Sequence, residues 1–368
     1  MMIRVVAQLL LLFVFGASSF AAPSVTGVTG TISNGQSVTI SGTDFGATGP
    51  TVVLFDDFED GTSGNAIPTG SGSAVIGQWS DITALGHPTG HYSSAESRSG
   101  SLSYGLIFDN DDTYEQIGLQ LSDISDFMLC YWVSIGTVPA VPDGANFKMA
   151  WLLDNTLGNI ASSDHTIPTA ITSLPITMLF VGSDDSQMWD YVDGEWTCPS
   201  WSTDTWRRFC CHIHGHASSG SIKMWETTGS GTSLVINASS IATKRASSVW
   251  KMLTLPGYGR ADSNGSAWYD DIYVASGSGA AARVEICNNA TYTSATNCAI
   301  ATPTSWGATS ITATVRQGSF GASDNAYLFV IDSSGAASSG YAVQFGAGGE
   351  TPAARKLQNV TGNRVSLH

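Results

Sequence analysis

The chain has 368 residues, of which 15 are Lys or Arg and 30 are Asp or Glu. Without Arg4, which falls in a predicted leader, 14 basic residues stand against 30 acidic ones, a net charge of −16. This balance argues against nucleic acid and anionic membranes as partners. The length exceeds what one hydrophobic core usually organises, so we predict two domains.

Residues 1–21 have the pattern of a secretory signal peptide. Arg4 precedes the apolar stretch 5–15, and Ser19-Phe20-Ala21 fits the small-x-small cleavage pattern. The alternative is an N-terminal membrane anchor, but the apolar stretch is shorter than the roughly 20 residues that a span needs. We therefore expect an extracellular or cell-surface protein with no membrane insertion after cleavage.

Six cysteines in an exported chain predict disulfides. Cys287 and Cys298 flank a short polar loop, and their spacing predicts a local bridge. The other four allow three pairings, among which the sequence does not choose: Cys130, Cys198, Cys210 and Cys211.

Short β-rich runs separated by Gly, Ser, Asn and Asp recur after the leader, without a sustained helical period. They predict an all-β fold built from sandwiches. Ten of the eleven Trp lie between Trp79 and Trp268, which indicates a large central domain with a different, smaller unit at its two ends. The runs are 37–41, 51–55, 127–135, 147–153, 176–181, 207–214, 221–225, 268–274, 310–315 and 327–331.

Both ends of the chain carry a family resemblance. Residues 23–28 and 35–46, with a Gly-Thr-Asp-Phe-Gly turn after a Val-Thr-Ile strand, resemble the opening strands of an IPT/TIG immunoglobulin-like domain. Residues 306–315, 327–335 and 341–345 resemble its closing strands. Neither half is complete alone, so the resemblance implies one split domain; two divergent units in a row are the alternative.

The inserted region closes on itself. Residues 55–61 and 268–274 resemble the first and last strands of concanavalin A-like (laminin G-like) jelly rolls, which lie side by side in one sheet. The resemblance implies an immunoglobulin-like β-sandwich interrupted by a larger concanavalin A-like jelly roll. The predicted parts are the signal peptide 1–21, the IPT/TIG-like domain 23–55 plus 280–346, the jelly roll 56–279 and a tail, 347–368.

A strand pair at 206–225 holds the main candidate site. With period 2, Arg207, Phe209, Cys211 and Ile213 share one face, which we expect to be the core face. The other face is polar and aromatic, which suits a sugar: indoles stack on its rings while cations and imidazoles bind its hydroxyl or carboxylate groups. The predicted ligand-facing residues are Trp206, Arg208, His212, His214, Lys223 and Trp225.

Two further groups are candidates. Trp189 and Trp196, in a loop dense in aromatic and acidic residues, are predicted to add a stacking rim; a miniature core of the loop is the competing interpretation. Asp57, Glu59 and Asp271 provide hard oxygen ligands where the first and last insert strands meet. They predict a structural calcium ion, which the jelly-roll resemblance also implies.

Three functions remain open. The first is a secreted or surface glycan-binding, adhesive protein whose partner is a polysaccharide or surface glycan. The second is a polysaccharide lyase, less readily a hydrolase, with His212 or His214 as base and Arg208 neutralising a uronate. The third is a structural surface or filament component that assembles through sheet edges. The sequence decides neither the glycan nor the oligomeric state.

Overall fold

A computed structural model describes most of the chain between residues 21 and 346. In these parts of the chain no helix has the length and apolarity needed to cross a membrane. The described residues are 21–82, 88–108, 114–136, 146–154, 176–181, 186–190, 194–198, 204–244, 249–256, 258–260 and 265–346.

The regular secondary structure of the described chain is β-strand, apart from a short 3₁₀ helix at Tyr292–Ser294. The first strands are β1 (Ser24–Thr29), β2 (Ser37–Thr43), β3 (Thr51–Asp56), β4 (His91–Ser93), β5 (Ser103–Phe108), β6 (Ile117–Ile124), β7 (Asp126–Ile135) and β8 (Asn146–Asp154). The next are β9 (Ile176–Val181), β10 (Ser186–Asp190), β11 (Gly194–Cys198), β12 (Arg207–His214), β13 (Gly220–Thr228), β14 (Gly231–Ile241), β15 (Trp250–Leu255), β16 (Tyr258–Arg260) and β17 (Gly265–Ser276). The last are β18 (Arg283–Cys287), β19 (Cys298–Trp306), β20 (Ser310–Thr314), β21 (Asn325–Ile331) and β22 (Tyr341–Gln344).

The two ends of the described chain form one immunoglobulin-like sandwich, the Ig-like unit. Its strand order is β1-β2-β20-β19-β18-β21-β22. β2 pairs with β20, so strands about 270 residues apart in sequence are neighbours. β19 pairs with β18 through its first half and with β20 through its second, and an irregularity between Pro303 and Ser305 marks the switch. A core that includes Val28, Ile40, Val284 and Leu328 fills this unit.

The inserted region is a jelly roll of two antiparallel sheets. The interface sheet has the order β14-β13-β12-β7-β17-β5-β4, with β3 also on β17. The distal sheet has the order β11-β10-β9-β8-β15-β6, with β16 also on β8. Phe55 of β3 lies opposite Tyr273 of β17, so the expected pairing of first and last insert strands is confirmed. The large core between the sheets includes Leu129, Phe209 and Leu253.

The interface sheet packs against the Ig-like unit through its outward face. Met128, Cys130, Tyr273 and Phe55 of the sheet form one buried cluster with Ile300 of β19. The chain is therefore an all-β protein in which an immunoglobulin-like sandwich is interrupted by a jelly roll and covers one face of it.

Two disulfides join neighbouring strands. The predicted Cys287–Cys298 bridge is confirmed and links β18 to β19. Cys130 of β7 bonds Cys210 of β12, which selects one of the pairings that the sequence left open. Cys211 points the other way, into the jelly-roll core, and the side chain of Cys198 lies outside the described residues. Two disulfides fit an oxidising, extracellular environment.

Candidate functional site

The hairpin β12–β13 forms with the predicted alternation of faces. Cys210 lies opposite Trp225 and His212 opposite Lys223. Phe209, Cys211 and Ile213 are buried in the core between the jelly-roll sheets, as predicted.

The opposite face of this hairpin is covered by the Ig-like unit. The Nη1 atom of Arg208 donates to Oε2 of Glu285 in β18 at 2.7 Å, and the Arg208 side chain is 4% exposed. Trp225 is 7% exposed beneath the guanidinium of Arg283, whose Cζ lies 4.7 Å from the indole centroid. The prediction that Arg208 and Trp225 face an open ligand surface is therefore wrong, because the second sandwich occupies that surface.

Gly335 of the Ig-like unit also closes over the indole of Trp225. A Cβ atom at Gly335, where φ is +90°, would lie 2.6 Å from Cζ2 of Trp225. Both the left-handed backbone and this close approach require glycine.

Glu285 organises the buried ion-pair network between the two units. It accepts from Arg208 and from Arg283, and the hydroxyl of Tyr292 donates to it at 3.2 Å. Burial alone would raise the pKa of Glu285, but the two guanidinium groups outweigh burial and hold the pKa at about 2. Arg208 therefore carries a structural charge that Glu285 neutralises.

Lys223 and the two histidines lie at the margin of the interface. Lys223 Nζ donates to the carbonyl oxygen of Ser334 in the Ig-like unit. His214 Nδ1 lies 2.7 Å from Oδ1 of Asp126, and His212 Nε2 lies 3.9 Å from the same oxygen. The His214 side chain is 41% exposed, whereas that of His212 is 12% exposed. Burial is the main reason that the pKa of His212 falls from 6.5 to about 4.

The predicted lyase residues are not assembled as a catalytic group. Arg208 is bonded to Glu285, and His212 and His214 both approach Asp126 instead. Trp206, immediately before β12, is half-buried. Trp189 and Trp196 lie in β10 and β11, and their side chains lie outside the described part of the structure.

The carboxylate oxygens of the three predicted calcium ligands do not converge as a group of three in the described structure, and Glu59 is engaged by other groups. Its Oε1 accepts from the backbone N–H groups of Ser101 and Leu102, each at 2.8 Å. Its Oε2 accepts from the Ser101 hydroxyl at 3.1 Å. Glu59 therefore holds the loop before β5.

Asp271 sits where β17 is irregular. Its φ is 49°, and the pairing of β17 with β7 shifts between Asp270 and Tyr273. Oδ1 of Asp271 accepts from the hydroxyl of Ser99 at 3.1 Å, while its buried Oδ2 has no hydrogen-bond partner. A buried carboxylate oxygen without a partner is costly, so this atom is suited to a positively charged or hydrogen-donating group.

Buried carboxyl groups surround Asp271. Burial, followed by the negative charge of Asp57, raises the pKa of Asp271 to about 6. Burial also raises the pKa of Asp57, while the charge of Arg316 opposes the rise. Asp56 is buried by the same chain turn, and its pKa rises to about 7 even though Trp79 Nε1 donates to it at 2.7 Å.

A second feature, the edge cleft, lies beside the distal sheet and has a volume of about 620 Å³. One wall is the outer edge of β6, and the other is the loop 69–81. Ser80 joins the walls: its N–H donates to the Gly118 carbonyl at 2.8 Å, and its Oγ accepts from Gln120 N–H at 2.9 Å. The lining is about evenly polar and apolar, and its polar side chains include Gln78, Ser80, Asp81, Gln120, Ser122 and Lys251.

The outward face of the distal sheet carries an apolar cluster near this cleft. Leu152 and Leu253 belong to the core between the sheets, whereas the alternate residues Leu153 and Met252 pack with Ile82 and the half-buried Trp151. Aromatic and aliphatic side chains thus lie on the same sheet whose edge strand presents amide and hydroxyl groups.

The sequence interpretation missed the cleft residues. A signal was present at residues 117–122, where Ile117, Leu119 and Leu121 alternate with Gly118, Gln120 and Ser122. This alternation is typical of a strand with one buried and one exposed face. The loop that forms the other wall has no such pattern, because its approach to β6 is a tertiary contact.

No protein-family model matches the chain, and no curated protein gives a significant match. Among solved structures, the chain is similar to a cellulose-induced protein, with 15% identity, a TM-score of 0.40 and coverage of 61% of this chain and 97% of that one. It is also similar to an alginate lyase of polysaccharide lyase family 7, with 10% identity, a TM-score of 0.33 and coverage of 50% and 81%. A third is botulinum neurotoxin type C, described as entering cells through two ganglioside molecules, with 12% identity and a TM-score of 0.34; the match covers 61% of this chain and 47% of that one.

Proposed function

We propose that this protein binds a glycan outside the cell and that the edge cleft beside the distal sheet is the binding site. The observation that carries the proposal is that the Ig-like unit covers the interface sheet of the jelly roll but not the edge of the distal sheet. The Ig-like unit covers the interface sheet with a buried cluster and ion pairs, while the edge cleft lies open beside the distal sheet. A second cleft, of about 610 Å³, lies at the seam between the two units and is lined by Asp57, Arg98 and Gln317 among others.

The chemistry of the cleft suits a polyhydroxylated ligand. Gln78 and Gln120 are exposed, and each carries both a donor and an acceptor. Ser80 and Ser122 add hydroxyl groups, and Asp81 accepts paired hydrogen bonds. A sugar ring offers the complementary set, since each hydroxyl group both donates and accepts. Pockets with a few convergent polar groups are the usual form of a small-ligand site.

Binding is favoured over a lyase reaction for a specific reason. The cation assigned to neutralising a uronate, Arg208, already neutralises Glu285 in the interior. His212, with its pKa near 4, stays neutral but is mostly buried at the interface. Two of the residues named for a lyase reaction, Arg208 and His212, are therefore not placed to reach a substrate.

A binding assay with matched variants tests the proposal. Full-length protein is screened on a glycan array, and its strongest ligand is titrated against Gln120→Ala. We expect a loss of roughly three- to tenfold in affinity, the effect of one or two hydrogen bonds. Gln36→Ala, the same change at an exposed position of the Ig-like unit, is the control and should bind as the parent does. An array without any bound glycan, or equal losses in both variants, would remove the proposal.

We also propose a divalent cation, calcium, between Asp57 and Asp271. Support comes from the unpartnered Oδ2 of Asp271 and from the charge repulsion between these two carboxyl groups. Carboxylate oxygen is the ligand type that calcium prefers, and the ion would supply positive charge to the buried acidic group. Glu59 would act beside them by fixing the adjacent loop.

Thermal unfolding in millimolar calcium and in chelator tests the cation. Calcium should raise the melting temperature of the parent and of the surface control Glu96→Gln, because an ion that binds only the folded state stabilises it. Asp271→Asn should abolish the difference between the two conditions. A parent protein with the same melting temperature in both conditions would contradict a calcium site here.

Secretion belongs to the proposal as well. The two disulfides support an extracellular location. The signal peptide 1–21 and the tail 347–368 fall, all but one residue, outside the described part of the chain and stay predictions. Membership of the Ig-like unit in the IPT/TIG family also stays a prediction.

A further inference from the structure

We propose that the edge cleft takes a neutral polysaccharide and that acidic polysaccharides are disfavoured. This inference rests on the proposed glycan-binding function and names its ligand class. It follows from where the charged side chains lie in the described structure. The sequence instead predicts a cationic ligand face at the β12–β13 hairpin.

Three arginines of the described structure pair with carboxylates inside the fold. Arg208 and Arg283 both bind Glu285 in the seam between the two units. Arg207 donates to Glu226 at 2.8 Å, with both side chains largely buried. Each of these guanidinium groups is ion-paired with a carboxylate of this chain, Glu285 being shared by two of them, so each is engaged inside the fold rather than at the cleft.

The other two arginines whose side chains the structure describes, Arg98 and Arg316, also have partners within the fold. Arg98 stacks on Trp132, with its Cζ 4.1 Å from the ring centroid, and its Nη2 donates to Asn297 at 2.7 Å. Arg316 stacks on Phe55 at 4.9 Å and lies in the field of Asp57. Both guanidinium groups are held on aromatic rings beside the acidic group at the seam.

The described outer surface carries the opposite charge. Every Lys and Arg whose side chain the structure describes is buried or half-buried. Exposed acidic residues, in contrast, include Asp44, Glu59, Asp60, Glu96 and Asp324. The whole chain has a net charge of −15, so a polyanion approaching it meets repulsion over roughly the Debye length of 10 Å at 0.1 M salt.

The cleft itself has no excess of positive charge. Its charged lining residues are one acid, Asp81, and one base, Lys251, and the rest of its polar lining is amide and hydroxyl. An alginate or pectate chain carries one carboxylate on every sugar and would need several cations along its path. A neutral hexose polymer needs none, because its hydroxyl groups are satisfied by uncharged donors and acceptors.

Affinity gel electrophoresis of the full chain tests the ligand class. The gels contain hydroxyethyl cellulose or galactomannan as neutral probes, and alginate or polygalacturonate as acidic probes, each at low and high salt. We expect retardation by at least one neutral probe, with a dissociation constant that changes less than about twofold with salt, since no ion pair is screened. We expect no retardation by the acidic probes at low salt.

Two outcomes overturn the inference in distinguishable ways. Retardation by alginate or polygalacturonate that weakens at high salt would show an acidic ligand, and glycan binding itself would survive. Retardation by none of the probes, together with a blank glycan array, would remove the proposed function and this inference with it.

A variant at Lys251 separates the ligand classes further. Lys251→Gln keeps a hydrogen-bond donor and removes the charge. For a neutral ligand we expect a loss of roughly two- to threefold that is equal at low and high salt. A loss of about tenfold that disappears at high salt would instead mark an ion pair to an acidic glycan.

Discussion

The two jelly-roll sheets of this protein are both built from strands with alternating faces, but only one of them packs against the Ig-like unit. The interface sheet places Cys130, Trp225 and Tyr273 against the Ig-like unit and pairs Arg208 with Glu285. The distal sheet ends in β6, whose Gln120 and Ser122 line an open cleft. A row of polar and aromatic residues on a strand therefore indicates an exposed face only until the neighbouring domain is placed.

The interface network gives the largest expected effect. Glu285→Gln removes the carboxylate that neutralises Arg208 and Arg283 and leaves two buried guanidinium groups without a counter-charge. We expect the free energy of unfolding to fall by about 3–5 kcal/mol. Denaturant unfolding of the variant measures this change.

Glu96→Gln is the matched control, because Glu96 is exposed. It should unfold within about 0.5 kcal/mol of the parent. If Glu285→Gln were as stable as its control, the interface sheet would not depend on this network, and the contrast between the two sheets would fail.

His212 makes the interface sheet sensitive to acid. Its pKa is about 4 in the folded protein against 6.5 ordinarily, so the unfolded chain binds more protons between these values. The stabilising effect of neutral His212 is therefore full above pH 6.5 and is lost as the pH falls towards 4. The fall in the pKa of His212 from 6.5 to about 4 corresponds to at most about 3–4 kcal/mol.

Comparison with His212→Gln isolates this effect. Asp56 and Asp271 have raised pKa values, so their ionisation lowers the stability of the fold as the pH rises, the opposite of the effect of His212. This contribution is the same in the parent and in the variant. We expect the stability difference between parent and variant to shrink as the pH is lowered from about 7 to about 4. A difference that stays constant over this range would show that His212 is not buried at the interface.

Lys223 gives the smallest expected effect and tests the original ligand face directly. Lys223→Met removes one marginal hydrogen bond to the Ser334 carbonyl. Stability should fall by about 1 kcal/mol or less, and glycan affinity should equal that of the parent. Titration of the glycan selected on the array measures this, and a clear loss of affinity would return the binding site to the β12–β13 hairpin.

Local patterns predicted the strands and their faces well, because side-chain alternation is a property of each strand alone. The alternation at 207–213 correctly assigned Phe209, Cys211 and Ile213 to a core, and the spacing of Cys287 and Cys298 correctly predicted their bridge. The pairing of β3 with β17 was predicted from the resemblance of the first and last insert strands to those of concanavalin A-like jelly rolls, and the structure confirms it.

The segments that pack against the outward faces of these strands were not predictable in the same way. Arg208 and Trp225 have the composition of a sugar site, but Glu285, Arg283 and Gly335 reach them from more than 50 residues away. The cleft depends likewise on Ser80 meeting Gly118 and Gln120 across a loop with no periodic signal.

The sequence by itself determined an all-β chain, a jelly roll nested in an immunoglobulin-like sandwich, and which residues of each strand share a face. The all-β class and the strand faces follow from local alternation and from turn residues, which act over a few positions, whereas the nesting was implied by the resemblance of the chain ends and insert ends to known families. Only the tertiary structure decided that the cationic, Trp-bearing face is an internal interface and that the open cleft lies at β6. The reason is that burial of a surface depends on which distant segment packs against it, and the energy of a charge depends on the partner that it finds there.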